Sequence, residues 1–247
     1  MKINKFKFLK GAAEAEGLTV IIDVFRAYTT AAYLFANQAE KIFIVSRIET
    51  ARKLKNELDN TVLIGERNGI KIDDFDFNNS PYFIAQNNFA GKKIILSTSA
   101  GTKGIIAAEN ADEIITGSFV NIAAAAAYIK QKKPELVSLV AMGNNGVRDA
   151  AEDNLYVQEL EKILKGKRPL AEAEIKKRLR SPAGDRFFVE ATQSEMPKED
   201  FDYSLNINKF DFVIKALKKA DDIYLLEREE VKKKKKGLIV LVLILTV

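Results

Sequence analysis

The sequence predicts an α/β fold, a three-layer α/β/α arrangement on a mainly parallel sheet. Three observations point to it. Short apolar runs alternate with helix-period segments along most of the chain. The runs are β-branched and nearly continuous, as in strands covered on both faces. Glycines, hydroxyls, carboxylates and arginines recur just after the runs, where open α/β sheets place their ligands.

Taken in order, residues 18–24 (Leu-Thr-Val-Ile-Ile-Asp-Val) form a strand and 29–38 a helix. A strand at 41–45, a helix at 49–58 and a strand at 61–64 follow. Residues 81–87 read as a short helix, with Ser80 as its cap and Pro81 in its first turn. Then come a strand at 94–97, a helix at 101–109, a strand at 113–116, an Ala-rich helix at 121–130 and a strand at 137–142. A long amphipathic helix spans 149–164 and another helix 169–179; residues 181–204 are polar and loop-rich, and 210–218 read as a helix before 222–226. One domain over 1–228, or two intimate lobes at 1–110 and 111–228, accounts for this order equally well.

Composition narrows the chemistry. The 247 residues include no Cys and no His, which removes disulfides, thiolate and imidazole metal sites, and Ser-His or Cys-His nucleophiles. Any metal is then a hard cation on oxygen ligands, which favours magnesium. Of 39 basic residues five are Lys232 to Lys236, and the remaining 34 balance 34 acidic ones. A neutral body argues against a nucleic-acid partner. Residues 1–17 lack an uninterrupted apolar run, so the expected location is the cytoplasm, with self-association left open. Residues 229–247, a lysine run and an apolar tail, fall outside the α/β pattern. The tail is shorter than the roughly 20 residues of a spanning helix. It reads as a core strand, a short anchor, or a frame-shifted ending after an A-rich codon tract.

The strand ends supply the candidate site. Residues 18–24 deliver Asp23, Arg26, Thr29 and Thr30; 61–64 deliver Glu66 and Arg67; 94–97 lead into Thr98, Gly101 and Thr102. Ser118 and Asn121 follow 113–116, and Gly143-Asn-Asn-Gly146 with Glu152 and Asp153 follows 137–142. Such a set suits a small phosphorylated anion, with amides and hydroxyls for phosphate oxygens, arginines for charge and carboxylates for a metal or water. Each piece also has a structural reading: capping at 98–102, a tight turn at 143–146, a helix start at Glu152-Asp153, an Asp23–Arg26 pair. The chain has no G-x-x-x-x-G-K-[ST] loop and no G-x-G-x-x-G after its first predicted strand. Phe25 occupies the position two residues after Asp23 where an aspartyl-phosphate enzyme of the haloacid-dehalogenase type carries a second Asp.

Together these segments resemble the 2-phosphosulfolactate phosphatase family. The resemblance rests on Asp23-Val-Phe-Arg-Ala-Tyr-Thr-Thr30, Gly65-Glu-Arg-Asn-Gly69, Asp76-Phe-Asn-Asn-Ser-Pro81, Ser97-Thr-Ser-Ala-Gly-Thr102, Gly117-Ser-Phe-Val-Asn121, Glu152-Asp153 and the stretch from Asp200 to Phe212. It implies Mg2+-dependent hydrolysis of a phosphate monoester on a small acidic hydroxy acid, 2-phosphosulfolactate or a relative. The expected metal ligands are Asp23, Glu66, Glu152 and Asp153. Asp23, Arg26, Glu66 and Arg67 are the expected catalytic residues, and Thr29, Thr30, Thr98, Gly101, Thr102, Ser118 and Asn121 the expected substrate contacts. Ala100, Lys103 and Asn78 stand where the family commonly has Asn, Arg and Gly, a departure that bears on which acid is recognised. A non-catalytic binder or sensor of a phosphorylated metabolite is the alternative.

Overall fold

A computed structural model describes residues 1–231 of the chain; the tail from 232 on, with its three readings, lies outside the described residues. The chain opens with strand β1 (Lys2–Lys7), helix α1 (Phe8–Ala13) and β2 (Gly17–Ile22), then α2 (Ala27–Ala36), β3 (Lys41–Ile44), α3 (Ile48–Glu57) and β4 (Thr61–Arg67). It continues through β5 (Ile70–Lys71), α4 (Pro81–Ala85), β6 (Lys93–Ser97), α5 (Gly101–Ala107), β7 (Ala111–Gly117), α6 (Ile122–Lys132) and β8 (Leu136–Ala141). Helices α7 (Ala151–Leu164), α8 (Glu172–Leu179) and α9 (Glu199–Ser204) precede strands β9 (Phe212–Ala220) and β10 (Ile223–Glu230). The α/β class is the one the strand–helix rhythm predicts. No helix among the described residues is long and apolar enough to cross a membrane.

The strands form one sheet in the order β1, β8, β2, β7, β9, β10, β3, β6, β4, β5. Strands β1, β8, β2 and β7 pair in parallel, as do β3, β6 and β4. The hairpin β9–β10 joins these blocks by antiparallel pairing on both sides. Strands β1 and β2 pair with β8 and β7, so residues 1–110 and 111–228 interleave in one sheet.

Alternate side chains along each strand go to opposite faces. Ile21, Ile42, Ile44, Ile64, Ile94, Leu96 and Ile214 share one cluster with α2 and α5. On the opposite face Val20, Ile22, Leu139 and Val213 pack with α6 and α7, whereas Val45, Leu63 and Ile95 pack with Leu54 of α3. One face is therefore a single core beneath the inner helices, and the other is divided between two outer helical layers.

The antiparallel hairpin sets the two parallel blocks in opposite senses along the ladder. Even so, the loops at the C-terminal ends of β2 and β8 meet those of β4 and β6 around one cavity. The Gly101 N–H, just past β6, donates a 2.8 Å hydrogen bond to Asp23, just past β2.

Beyond the short elements α1, β5 and α9, which the sequence pattern also does not announce, two elements differ from the sequence expectation. Residues 210–218, read as a helix, instead contribute strand β9. Phe212, Ile214 and Ala216 enter the inner core while Val213 enters the outer one, so pairing with β10 and burial on both faces override the helical pattern. Strand β1 was not anticipated, because lysines at 2, 5 and 7 mask it; it is an edge strand, where exposed lysines are tolerated.

Gly65 faces Ser97 across β4 and β6, and a Cβ there would lie 2.2 Å from the Ser97 carbonyl oxygen. Gly65→Ala is expected to push these strand ends apart and cost about 1–3 kcal/mol in urea unfolding, with the largest exchange increase at the Glu66 and Ser99 amides.

Candidate active site

The strand ends enclose a cavity of about 290 Å³. Its wall is supplied by Asp23, Phe25 and Arg26 after β2, by Glu66, Asn68 and Gly69 at the β4–β5 hairpin, and by Ser99 and Ala100 after β6. Asn79, the 143–148 loop after β8, Arg186 and Met196 complete it.

Backbone amides hold the carboxylates. Glu66 Oε1 accepts the Ser99 N–H at 2.7 Å, and Oε2 accepts the Gly69 N–H at 2.7 Å and the Ser99 hydroxyl at 3.0 Å. Asp23 Oδ1 accepts the Ala27 N–H at 3.2 Å and Oδ2 that of Gly101. Asp153 lies behind the wall, with Oδ1 on the Val24 N–H at 2.9 Å and Oδ2 on the Gly143 N–H at 2.8 Å, so it ties β2 to β8. Glu152 accepts Arg186 Nη2 at 2.6 Å.

These acids sit in an environment hostile to negative charge. Burial pushes the Asp23 carboxyl up from 3.8 to about 6, aided by the nearby charges of Glu66 and Glu152. Burial also raises Asp153 well above the usual carboxylate range, with the Glu152 and Asp23 charges adding to it. Glu152 is raised by burial although Arg186 opposes the shift. Most of the Asp23 shift is burial; only the smaller share from the Glu66 and Glu152 charges is an attraction for positive charge.

Arg26 is fixed by a buried partner. Its Nη1 donates to Asp200 Oδ2 and to the Glu195 carbonyl, both at 2.8 Å, and Nη2 to the Gly69 carbonyl at 3.4 Å. Asp200 is fully buried, and its other oxygen accepts the Ser80 hydroxyl at 2.7 Å and the Tyr82 N–H at 3.0 Å. The same carboxylate thus aims Arg26 and anchors the start of α4. Asn79 also lines the cavity, and its buried Oδ1 has no hydrogen-bond partner. Such an acceptor costs about 1–3 kcal/mol unless something entering the cavity bonds it.

Of the expected residues, the structure brings Asp23, Arg26 and Glu66 to one cavity and places the others elsewhere. Arg67 turns away, donating to the carbonyls of Glu66, Ser97 and Ser46 and to the Ser97 hydroxyl, which pins the ends of β3, β4 and β6. Thr98 and Thr102 bond each other's backbone, and the Gly101 N–H is held by Asp23. The expected amide cradle is therefore a carboxylate clamp. Thr29 bonds Ser118 and the Val24 carbonyl, Asn121 donates to the Phe212 carbonyl, and Thr30 is buried in α2; none of them lines the cavity. The expected set of Asp23, Glu66, Glu152 and Asp153 does not form a metal cage: no three acids among the described residues are grouped to hold an ion. Glu152 and Asp153 are occupied by Arg186 and by backbone amides. Two hard carboxylates and the Asn79 oxygen remain on the wall.

The sequence reading passed over Ser99, Asn79, Asp200, Arg148 and Arg186. The first three lie inside segments that carry the family resemblance, so that pattern held the available signal. Asn78, at a position of family departure, donates to the Gly69 and Glu195 carbonyls at 3.0 Å and braces the hairpin.

Fold and cavity define an α/β protein whose strand-end cavity is lined by carboxylates and guanidinium groups. Residues 6–219 match the 2-phosphosulpholactate phosphatase family. A probable 2-phosphosulfolactate phosphatase of Bacillus subtilis is 29% identical over 213 residues, 85% of this chain and 91% of the relative. One of Thermotoga petrophila is 36% identical over 72% of this chain and 74% of its own. One of Carboxydothermus hydrogenoformans is 41% identical over 56% of this chain and 57% of its own. The chain belongs to the 2-phosphosulpholactate phosphatase family, whose name describes phosphoric monoester hydrolases.

Two outcomes are expected. Asp200→Asn leaves the Arg26 charge buried without its counter-ion, and should cost about 3–5 kcal/mol in denaturant unfolding. Because Asp23 binds its proton more tightly when folded, its contribution to stability is full below pH 3.8 and lost as pH rises through about 6. Melting curves in chelator should therefore fall across this window more steeply for the wild type than for Asp23→Asn.

Proposed function

We propose that the protein hydrolyses a phosphate monoester of a small acidic hydroxy acid, 2-phosphosulfolactate or a close relative, with Mg2+ as cofactor. The observation that carries this reading is the pair Asp23 and Glu66 on the wall of a cavity shared with Arg26, in a chain that matches the family over residues 6–219. Water attacks phosphorus, the P–O ester bond breaks, and the hydroxy acid and inorganic phosphate leave.

The donor set suits magnesium, which takes one or two carboxylates and completes its shell with water and substrate phosphate. Asp23 and Glu66 would hold it, with the free Asn79 oxygen on the same wall. The ion would supply Lewis-acid stabilisation and water activation. Amide clamping pre-orients both carboxylates, so little reorganisation is needed when a ligand arrives. Arg26, held by Asp200, presents positive charge to the phosphoryl oxygens that gain charge as the bond breaks. With no histidine or cysteine in the chain, proton transfer at neutral pH falls to a carboxylate.

Engagement of both oxygens of Asp23 and of Glu66 by hydrogen-bond donors of the chain is the one feature that favours a metal-free binder instead. Phosphate release from 2-phosphosulfolactate separates the readings. Turnover that requires magnesium, and that drops roughly a hundredfold or more in Asp23→Asn and Glu66→Gln, is the expected result. Anion-induced thermal stabilisation without magnesium and without phosphate release would establish the binder.

A further inference from the structure

Three arginines line the cavity, and their states differ. Arg26 is paired with Asp200 and Arg186 with Glu152. The Arg148 side chain is exposed and has no hydrogen bond or ion pair among the described residues. Its neighbour Asp149 does not neutralise it, being engaged by Lys7 Nζ at 2.6 Å.

The base from which this free guanidinium projects is fixed. The Asn144 N–H donates to the Arg148 carbonyl at 2.8 Å, and the Arg148 N–H returns a bond to the Asn144 carbonyl at 3.2 Å. Gly143 permits this closure: its φ is +66°, and a Cβ would lie 2.0 Å from the Arg148 carbonyl oxygen. Asn145 Nδ2 donates to Asn68 Oδ1 at 2.7 Å, tying the loop to the β4–β5 hairpin. Arg186 Nη1 donates to Asn144 Oδ1 at 2.9 Å and braces the other flank. A tethered loop thus holds one uncommitted cation over a cavity whose other wall carries Asp23 and Glu66.

We propose that Arg148 reads the carboxylate of the substrate, and so sets the preference for acid-bearing phosphate esters. This rests on the hydrolase reading above. A guanidinium matches a carboxylate through two parallel N–H bonds. Arg26 is ion-paired and already directed at the phosphoryl group, and Arg186 is ion-paired with Glu152, so neither is left over for a further anion, which Asp23 and Glu66 repel. Arg148 supplies the only uncompensated positive side chain among the described residues of the wall. A substrate with phosphate alone would leave it unused.

The test compares 2-phospholactate with isopropyl phosphate, which keeps the phosphate and carbon skeleton but lacks the carboxylate. Wild type, Arg148→Gln and Arg148→Lys are assayed for kcat and KM with magnesium, and for Kd by calorimetry. Wild type should favour the acid-bearing ester. In Arg148→Gln the ratio of kcat/KM between the two esters should fall roughly ten- to a hundredfold, through KM, with partial recovery in Arg148→Lys. A ratio that stays within about twofold of wild type overturns the proposal, as does an equal loss on both esters. The calorimetric arm keeps this separate from catalysis. No turnover by any form, with a tenfold or greater loss of 2-phospholactate affinity in Arg148→Gln, sinks the hydrolase and retains acid recognition; unchanged affinity sinks both.

Discussion

Asp23 leaves β2 in one parallel block and Gly101 leaves β6 in the other, and the hydrogen bond between them marks where the blocks meet. Glu66 makes a similar join, gripping Ser99 and Gly69 from the end of β4. Asp153 links β2 to β8 from behind. Three buried carboxylates take up backbone N–H groups that irregular chain at strand ends would otherwise leave unpaired. Remove these acceptors and the loops that form the cavity lose their common anchor.

The arrangement has an electrostatic cost. Several acids are buried close enough to raise one another's proton affinity, with Asp23 displaced to about 6. Backbone amides lower that penalty without abolishing it, because each supplies only a partial charge. The residual negative charge of Glu66 and Glu152 around Asp23 is the property that the proposed reading uses to bind a cation, and through it a phosphate ester. Stability and ligand recognition are thus opposed at the same residues, as is common where binding groups are held in place before the ligand arrives.

The legible parts of this molecule were those with a local cause. Residues 18–22, 94–97 and 137–141 are strands because their apolar, β-branched runs leave little alternative, and Ser80-Pro81 starts α4 by capping chemistry, with the Ser80 side chain accepting the Phe83 N–H. Residues 212–218 were misread because Phe-Val-Ile-Lys-Ala-Leu-Lys satisfies helical and strand patterns alike. Only the neighbours β7 and β10 choose between them. In the site, Asp23, Arg26 and Glu66 were recoverable from their positions just past strands. Arg67, Thr98 and Thr102 share that placement yet turn to backbone, because a strand-end position does not specify which way a side chain points. Asp200 and Arg186 could not be located from strand ends at all. They arrive from the segment after α8, whose irregular pattern carries no periodicity.

By itself, then, the sequence determined the α/β class, the absence of imidazole and thiol groups from any site, and two of its four expected acids, Asp23 and Glu66, as residues of the cavity. These depend on residue type and on short-range pattern, which act over one turn or one strand. Tertiary structure alone decided which strand ends converge, since that depends on how the two parallel blocks come together on either side of the β9–β10 hairpin. It likewise decided which arginines are paired and which is free, because an ion pair between Arg26 and Asp200 joins residues 174 positions apart. Charge type is written in the chain; whether a charge is compensated is a property of the folded neighbourhood.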